Sequence, residues 1–292
     1  AMHMRGTPQT MQTMTRYDDL TGEVLAYFVE KIGWLRGEGV TVLTGPNGFG
    51  KSTLFSLVEA VANGNRGALF SMPGRELSLE FNGGERFDFV KAANGGYTEN
   101  GEEVSPRGEL TAAEKRAAKL LGAVRRAGGD GLSSAVRGGE EKIREYANKL
   151  RSIPDAAGRA YNAGGSDRAR AELLRDLLSD KLAFKTATIG SGGLEFTDDD
   201  GEKLDFLALS AGEIRLTEFY ADLLFGTPDG ALLLIDEPEV SMHIAWQFTL
   251  VDDVKEICRA LGGASAIIAT HSPQILGGHR DLQVDLGEQY GE

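Results

Sequence analysis

Residues 40–53 read VTVLTGPNGFGKST, and this stretch decides the fold. The apolar run from Val40 is continuous rather than alternating, which is typical of a parallel strand buried on both faces. Gly45, four intervening residues, and then Gly50, Lys51 and Ser52 give the spacing of a phosphate-binding loop. Because this loop follows a predicted strand and opens a predicted helix, its backbone N–H groups can face phosphate oxygens. The stretch therefore predicts an α/β fold with a phosphate site at the end of a core strand.

Two further apolar runs have the same character, ALLLID from Ala231 and SAIIATHS from Ser265. Helical patterns flank them in KSTLFSLVEAVAN, SAGEIRLTEFYADLLF and HIAWQFTLVDDVKEICRAL, and this alternation indicates an α/β fold with a mixed or parallel core sheet. Other strands are predicted to be antiparallel. LSLEF and RFDFV flank the turn sequence NGGE, and LEFTDDDGEKLDFLAL has its turn at DDDG.

The composition of the chain argues against several classes of protein. The 292 residues carry a formal net charge of -13, which argues against a surface built as a whole to coat nucleic acid. The single cysteine, Cys258, excludes an internal disulfide framework and fits a reducing compartment. No run of 18 apolar residues occurs, and the first residues lack the layout of a secretion signal. We expect a cytoplasmic protein that does not enter a membrane.

The charge distribution predicts the domain organisation. Residues 107–184 hold 16 Lys and Arg against 11 Asp and Glu, a net of +5, whereas the remainder has a net of -18. We predict a helical, locally basic insertion over 107–184 within an α/β core of 17–106 and 185–292 that carries the phosphate loop, with 1–16 a disordered tail or tag remnant. Helices are expected near LTAAEKRAAKLLGAVRRA, GEEKIREYANKLRSI and SDRARAELLRDLLSDKL. The insertion's cations either are solvated helix faces without a partner or contact DNA, RNA or an acidic protein.

The phosphate loop supplies the first set of candidate site residues. Its glycines permit close approach of the backbone, and we expect Lys51 to reach the outer phosphates and the Ser52 hydroxyl to bind Mg²⁺. The alternative is a glycine-rich turn without a ligand. The predicted nucleotide-binding residues here are Gly45, Pro46, Asn47, Gly48, Phe49, Gly50, Lys51, Ser52 and Thr53.

Three polar residues follow the other core strands. Asp236 ends the ALLLID strand, where Mg²⁺ needs its second protein anchor, and Glu237 can polarise a water for attack on the γ-phosphate. His271, just past the SAIIAT strand, can contact the γ-phosphate or the attacking water. Alternatively, the acids are solvated charges at a strand end and His271 is a structural histidine.

LSAGE, residues 209–213, lies about twenty residues ahead of the Asp236 strand and resembles the signature motif of ABC-type ATPases. The block LSAGEIRL…LLLIDEPEVSMH…IIATHSPQIL is similar to cytosolic ABC/AAA ATPases of the SMC-like and OLD-like group. DEPEVSMHIAWQ and THSPQILGGHRDLQVDLGE most resemble stand-alone ATP-binding proteins, including ATPase subunits of phage-defence systems such as Septu. The resemblance covers residues 20–90 and 190–287 and leaves the insertion out.

This resemblance implies a homodimer with two composite ATP sites. Ser210 and Gly212, with Glu213 closing the motif, would cap the γ-phosphate of ATP held by the opposite subunit. Glu237 matches the catalytic glutamate and His271 the switch histidine. His243 stands where transporter ATPases carry an aspartate, a departure that the SMC-like and OLD-like group shares.

A second departure concerns the Q-loop. No glutamine occurs between Lys51 and Ser210, so the residue that usually joins Mg²⁺ coordination to contact with the partner is missing or replaced. This departure puts the coupling step in doubt but does not remove the nucleotide site.

The leading functional hypothesis is an ATP- and Mg²⁺-dependent ATPase that regulates a separately encoded effector, a nuclease above all, in antiviral defence. We expect no fused nuclease domain after DLGEQYGE. The alternatives are a nucleotide-gated binding module with little turnover and, more weakly, the ATPase subunit of a transporter. Oligomers beyond a dimer stay open. Tyr17, Phe28 and Trp34 are candidates to stack on adenine, although aromatics in strands are more often core.

Overall fold

The computed structural model describes residues 8–18, 23–33, 39–46, 50–72, 76–81, 84–92, 95–128, 131–240 and 242–286, with 8–18, 23–33 and 131–133 described by their backbone alone. The chain divides into two units. The first unit comprises Ala1–Arg126, Gly230–Asp236 and Ala264–Glu292. The second unit comprises Ala127–Asp229 and Glu237–Gly263.

The strands and helices alternate along the chain. The strands are β1 (Pro8–Asp18), β2 (Glu23–Gly33), β3 (Val40–Thr44), β4 (Glu76–Phe81), β5 (Arg86–Lys91), β6 (Tyr97–Glu99), β7 (Glu102–Val104), β8 (Val124–Gly128), β9 (Lys185–Gly190), β10 (Gly193–Asp198), β11 (Lys203–Leu204), β12 (Leu232–Asp236), β13 (Ser265–Ala269) and β14 (Gln283–Asp285). The helices are α1 (Lys51–Ala62), α2 (Arg66–Phe70), α3 (Ala112–Leu121), α4 (Gly131–Arg137), α5 (Glu140–Arg151), α6 (Ile153–Ala163), α7 (Gly165–Ser179), α8 (Ala211–Gly226), α9 (Ile244–Gln247), α10 (Leu250–Ala260) and α11 (Pro273–Leu276). Single 3₁₀ turns occupy Phe206–Ala208 and Arg280–Leu282.

A central sheet in strand order β14-β3-β13-β12-β8 organises the first unit. β3 pairs in parallel with β13 and β14, and β12 pairs in parallel with β13. All five residues of β3 and of β13 are buried, as the continuous apolar runs predicted. The α/β fold class and its parallel core are therefore confirmed, and the carboxyl ends of β3, β12 and β13 lie at the same edge of the sheet.

A second sheet of the first unit runs antiparallel in the order β2-β1-β4-β5-β6-β7. The predicted hairpin between β4 and β5 is confirmed, since Phe81 N donates to Glu85 O at 2.8 Å across the turn. A buried cluster joins this sheet to α1 and the central strands. Its aromatic centre sets the ring of Phe70 edge-on to Phe89 at 5.0 Å and to Tyr97 at 4.6 Å.

The helix predicted over LTAAEKRAAKLLGAVRRA is wrong in its last residues. α3 begins with a capping box in which Thr111 and Glu114 satisfy each other's backbone N–H groups. It ends at Gly122, whose φ of 67° is a left-handed conformation that favours glycine. The following residues form β8 at the edge of the central sheet, so the periodic pattern before the glycine did not continue past it.

The second unit contains helices α4 to α10. α6 approaches β10 so closely that a Cβ built on Gly158 would lie 2.7 Å from Gly193 Cα, which only glycine allows. The hairpin predicted at DDDG is confirmed, with Asp198 N donating to Glu202 O at 3.0 Å. HIAWQFTLVDDVKEICRAL forms two helices, α9 and α10, instead of the single predicted one.

The predicted domain boundaries stay a prediction. The segment 107–184 contributes its residues up to Arg126 to the first unit and its remainder to the second unit. Within the predicted N-terminal tail, β1 begins at Pro8.

Candidate functional site

The start of α1 carries the first group of candidate residues. Gly50 precedes the helix with a φ of 83°, a left-handed conformation that glycine adopts without steric cost. The Lys51 side chain turns back to the loop, where Nζ donates to Gly45 O at 2.6 Å and to Pro46 O at 3.1 Å. The first turn of α1 has no acidic residue, so the positive end of the helix dipole is not neutralised from within the helix. Ser52 and Thr53 are exposed, and Asn47, Gly48 and Phe49 lie outside the described residues.

His271 meets Lys51 across the carboxyl edge of the central sheet. Its Nδ1 lies 3.2 Å from Lys51 Nζ and 2.9 Å from Gly45 O. A carbonyl oxygen only accepts and an ammonium only donates, so Nδ1 can form one of these two hydrogen bonds at a time, depending on the tautomer. The structure thus brings His271 to the loop lysine.

Ser52 and Asp236 form the candidate metal site. Ser52 Oγ donates to Asp236 Oδ1 at 3.1 Å, and the Asp236 side chain is 14% exposed. Adjacent ligands of an octahedral Mg²⁺ lie about 2.9 Å apart when each metal–oxygen distance is about 2.05 Å, and both donors here are hard oxygens. The two residues therefore fit Mg²⁺ in chemistry and in spacing.

Arg126 is a site residue that sequence reasoning missed. Its guanidinium contacts the carboxylate of Asp236 through Nη2. Nη1 donates to Ser56 Oγ at 2.9 Å and lies 3.4 Å from Glu59 Oε2. The sequence predicted AVRRA to be helical, whereas Val124–Gly128 form β8 beside β12. Because only this strand position brings the Arg126 side chain to Asp236, the helical prediction left Arg126 out of the site.

Glu237 follows Asp236 directly in the chain and is the first residue of a segment of the second unit. Its φ of 47° is left-handed, which is uncommon for a residue with a Cβ and costs about 1–3 kcal/mol. Such strain persists where the surrounding structure imposes it, and it is concentrated at functional sites. This conformation supports a functional interpretation of Glu237.

The signature stretch lies in the second unit at the start of α8. Ser210 Oγ accepts from Glu213 N at 3.3 Å, and Glu213 Oε2 accepts from Ser210 N at 2.8 Å, which makes a capping box. Lys185 Nζ donates to Glu213 Oε1 at 2.9 Å. Burial by itself raises the pKa of the Glu213 carboxyl, but hydrogen bonds from Lys185 and Ser210 outweigh it and hold the pKa below its ordinary value.

The candidate residues thus fall into two groups. Lys51, Ser52, Asp236 and His271 are brought together in the first unit, whereas Ser210, Gly212, Glu213 and Glu237 belong to the second unit. His243 has a local role, since its Nδ1 accepts from Ala245 N at the start of α9. The side chains of the adenine candidates Tyr17, Phe28 and Trp34 lie outside the described part of the chain.

Several cations of the basic segment have carboxylate partners within the second unit. The pairs are Lys142 with Glu145, Lys149 with Glu218 and Asp222, Arg170 with Asp167 and Asp229, Arg175 with Asp176, and Lys181 with Asp253. Such pairing favours a structural role for these cations, because a phosphate ligand would have to displace a carboxylate.

Comparison with known proteins decides the family. Residues 118–277, more than half of the chain, match the family model described as "AAA domain, putative AbiEii toxin, Type IV TA system". The chain belongs to this AAA-domain family. The matched residues include the signature stretch, both strand-end acids and His271, and they begin after the phosphate loop.

One solved structure supports the fold. The SMC head domain from Thermotoga maritima superposes with a TM-score of 0.51 at 15% identity, over 92% of this AAA-domain chain and 91% of that chain. A putative ABC transporter ATP-binding protein from Pyrococcus furiosus gives a TM-score of 0.44 at 14% identity, over 95% and 97%.

A curated protein matches over a short stretch. Dihydropteroate synthase from Escherichia coli (strain K12) is 44% identical over 55 residues, which is 18% of this AAA-domain chain. The match spans 20% of that enzyme's length.

The family model thus shows an AAA domain, and the solved structure shows that this chain shares the fold of an SMC head domain. In the part of this AAA-domain chain that the structure describes, every helix is too short or too polar to span a bilayer.

Proposed function

We propose that the protein binds and hydrolyses ATP, dimerises head to tail around two ATP molecules, and regulates a partner effector. The observation that carries this proposal is the meeting of Lys51, Ser52, Asp236 and His271 in the first unit. These residues come from three segments of the sequence. Each has the chemistry that a triphosphate with its metal requires.

The side chains of the first unit would divide the work of binding. Lys51 leaves the loop carbonyls and donates to the outer phosphates, which offer charged acceptors in place of neutral ones. Ser52 and Asp236 would hold Mg²⁺, which when bound neutralises charge on the phosphates. His271 would stay at Gly45 through Nδ1, and its other ring nitrogen would be the group that contacts the γ-phosphate or the attacking water.

Hydrolysis would use Glu237. A carboxylate one residue beyond the metal-binding Asp236 can accept a proton from the attacking water, and its left-handed backbone sets its direction apart from that of Asp236. The in-line attack then transfers the γ-phosphoryl group to water, giving ADP and phosphate.

The dimer would be completed by the signature stretch. Ser210 Oγ accepts a hydrogen bond from Glu213 N, and its hydroxyl proton can be donated to the γ-phosphate of ATP held by a second copy. Ser210 is exposed at the N-cap of the sixteen-residue helix α8. Lys51 and Ser210 of one chain would therefore serve different composite sites.

The partner effector is proposed as a separately encoded protein, a nuclease above all, in antiviral defence. Two observations support it. DEPEVSMHIAWQ and THSPQILGGHRDLQVDLGE resemble stand-alone ATP-binding proteins that include ATPase subunits of such systems. The description of the matched family reads "AAA domain, putative AbiEii toxin, Type IV TA system". Co-expression with the product of the adjacent reading frame, followed by purification on a tag carried by that product, tests the association.

Glu237→Gln tests the ATPase and the dimer together. The variant keeps the size of the side chain but cannot accept the proton, so ATP should stay bound and the dimer should persist. We expect phosphate release to fall at least a hundredfold, and light scattering with ATP and Mg²⁺ to show a stable dimer. Glu239→Gln is the matched control, because it removes a nearby acid and should leave turnover and mass unchanged.

The results separate the parts of the proposal. Unchanged turnover in Glu237→Gln would reject the catalytic assignment. A monomer with ATP bound in Glu237→Gln would reject the composite site while leaving ATP binding intact.

A nucleotide-gated binding module is the second candidate. It is favoured by the absence of glutamine between Lys51 and Ser210 and by the arginine that the structure places at Asp236. In this case ATP is held and not turned over. Multiple turnover by the protein on its own would exclude this candidate, and a single turnover per subunit would support it.

A further inference from the structure

Arg126 joins the two elements that form the candidate metal site. It lies in β8, beside β12, and Leu232 N donates to Ala123 O at 2.9 Å where the two strands begin together. At the other end of the pair, Arg126 reaches the Asp236 carboxylate. Its other contacts, Ser56 and Glu59, are on α1, the helix that begins with the phosphate-loop lysine.

Both oxygens of Asp236 are engaged. Oδ1 accepts from Ser52 Oγ at 3.1 Å, and Oδ2 accepts from Arg126 Nη2. The side chains of Arg126 and Asp236 are 30% and 14% exposed, so water screens this pair less than a surface pair. A guanidinium and a divalent cation that use the same carboxylate compete for it.

The contacts of Arg126 with α1 allow its guanidinium to dissociate from Asp236. Ser56 and Glu59 hold Nη1 on the α1 side, so Arg126 keeps two partners when Nη2 leaves. Without Arg126, the carboxylates of Asp236 and Glu59 would lose the guanidinium that contacts both of them. That arrangement attracts a bare metal ion.

We propose that Arg126 makes metal binding conditional on nucleotide: it holds Asp236 in the nucleotide-free protein and is displaced from it when Mg²⁺ arrives with ATP. Metal alone binds weakly, because it has to remove the guanidinium without help. Metal that arrives with a triphosphate gains the phosphate oxygens as further ligands. This inference rests on the proposed nucleotide site and adds a specificity-determining residue to it.

Metal binding in the absence of nucleotide tests the proposal. The dissociation constant of Mn²⁺ is measured by the loss of the free-ion signal in electron paramagnetic resonance, with the full chain. We expect Arg126→Ala to bind Mn²⁺ about three- to tenfold more tightly than the wild type, since one ion pair no longer competes. Arg116→Ala is the matched control, because Arg116 also lies in the first unit and pairs with a carboxylate, that of Glu85.

Two further variants keep the test valid if Arg126→Ala fails to fold. Arg126→Met keeps the alkyl stem and should tighten Mn²⁺ binding as alanine does. Arg126→Lys keeps the charge but loses the fork that reaches Asp236 and Ser56 together, and it should give an intermediate value. Equal Mn²⁺ affinity in wild type, Arg126→Met and Arg126→Lys would overturn the proposal, and so would equal tightening in Arg116→Ala.

A parallel titration separates this proposal from the proposed function. Wild-type protein is titrated with ATP in the presence of Mg²⁺. If the wild type does not bind ATP, the proposed function is rejected. If the wild type binds ATP but its Mn²⁺ affinity equals that of the Arg126 variants, only the role of Arg126 is rejected.

Discussion

Lys51 and His271 lie 220 residues apart in the sequence and meet at 3.2 Å between Nζ and Nδ1. The same Nδ1 lies 2.9 Å from Gly45 O, to which Lys51 Nζ also donates at 2.6 Å. The three groups form a triangle in which Nδ1 faces a donor and an acceptor at once. Movement of the Lys51 ammonium to a phosphate would leave Nδ1–H free to donate to Gly45 O, and so nucleotide binding would select one tautomer.

The triangle predicts that His271→Asn and His271→Ala differ in their affinity for ATP but both hydrolyse it slowly. The side-chain amide of asparagine can donate from about the position of Nδ1, but it has no group at the far side of the ring. We therefore expect His271→Asn to keep ATP affinity within about twofold, and His271→Ala to lose about fivefold for one neutral hydrogen bond. Both variants should lose at least tenfold in hydrolysis. Calorimetry gives the affinities and phosphate release gives the rates.

Lys51→Met serves as the reference variant for this comparison. It removes the ammonium while keeping the alkyl stem, and it should weaken ATP binding about a hundredfold, because charge-assisted hydrogen bonds to phosphate are lost. Hydrolysis by His271→Asn at the wild-type rate would show that His271 does nothing beyond holding Gly45.

The sequence predicted this region because buried parallel strands have a strong local signal. VTVLT, LLLID and SAIIA are short apolar runs bounded by polar residues, and polar residues after parallel strands gather at one edge of the sheet. The meeting of Lys51, Asp236 and His271 follows from that rule alone.

The position of Arg126 could not be predicted in the same way. VRRAG has two arginines and no long apolar run, and it follows a strongly helical stretch. Its strand conformation comes from pairing with β12, more than a hundred residues away, and such tertiary pairing overrides local propensity. The split of α9 from α10 has the same origin, since Trp246 Nε1 donates to Lys181 O at 3.1 Å within the second unit.

The Glu213 capping box predicts a pH-dependent contribution to stability. The folded-state pKa of Glu213 lies below its ordinary value of 4.5, so the charged form stabilises the fold. This stabilisation is fully present above the ordinary pKa and is lost as the pH falls through the lower folded-state value. We expect Glu213→Gln to lower the free energy of unfolding by about 1 kcal/mol at pH 7 and by much less near pH 3. Urea unfolding at several pH values measures this difference.

The variants Lys185→Met and Lys203→Met serve as comparisons for Glu213→Gln. Lys185→Met removes the partner of Glu213 and should show the same pH dependence as Glu213→Gln, without adding to it in the double variant. Lys203→Met breaks an exposed pair with Glu195 and should change stability little at any pH. A penalty for Glu213→Gln that is the same at pH 7 and pH 3 would show that Lys185 does not hold the charge of Glu213.

A buried ion pair in the second unit gives the largest predicted effect on stability. Lys181 Nζ lies 2.9 Å from Asp253 Oδ2, and the two side chains are 5% and 9% exposed. Tyr220 Oη donates to the same carboxylate at 2.6 Å. Burial raises the pKa of Asp253 above its ordinary value, although Tyr220, Lys181 and Thr249 each act to lower it. The charge of Asp253 therefore depends on its partners.

Lys181→Met should destabilise the second unit by about 3 kcal/mol at pH 8, because a buried carboxylate loses its counter-ion. The sign of the pH dependence follows from the pKa. Without Lys181 the folded-state pKa of Asp253 rises further, so the carboxyl takes up a proton as the pH falls and the uncompensated charge disappears. The penalty of Lys181→Met should therefore be smaller at pH 5 than at pH 8.

The reactivity of Cys258 can be used to measure how often the second unit opens. Burial raises the pKa of its thiol to about 12, so the folded unit presents a protonated, buried sulfur that reacts slowly with disulfide reagents. As the single cysteine of the chain, it gives a labelling rate that measures opening of the second unit. Lys181→Met should speed labelling at pH 8 by about a hundredfold, the equivalent of about 3 kcal/mol. Lys142→Met, which breaks an exposed pair with Glu145, should leave the rate unchanged, and equal labelling of both variants would contradict the buried-pair assignment.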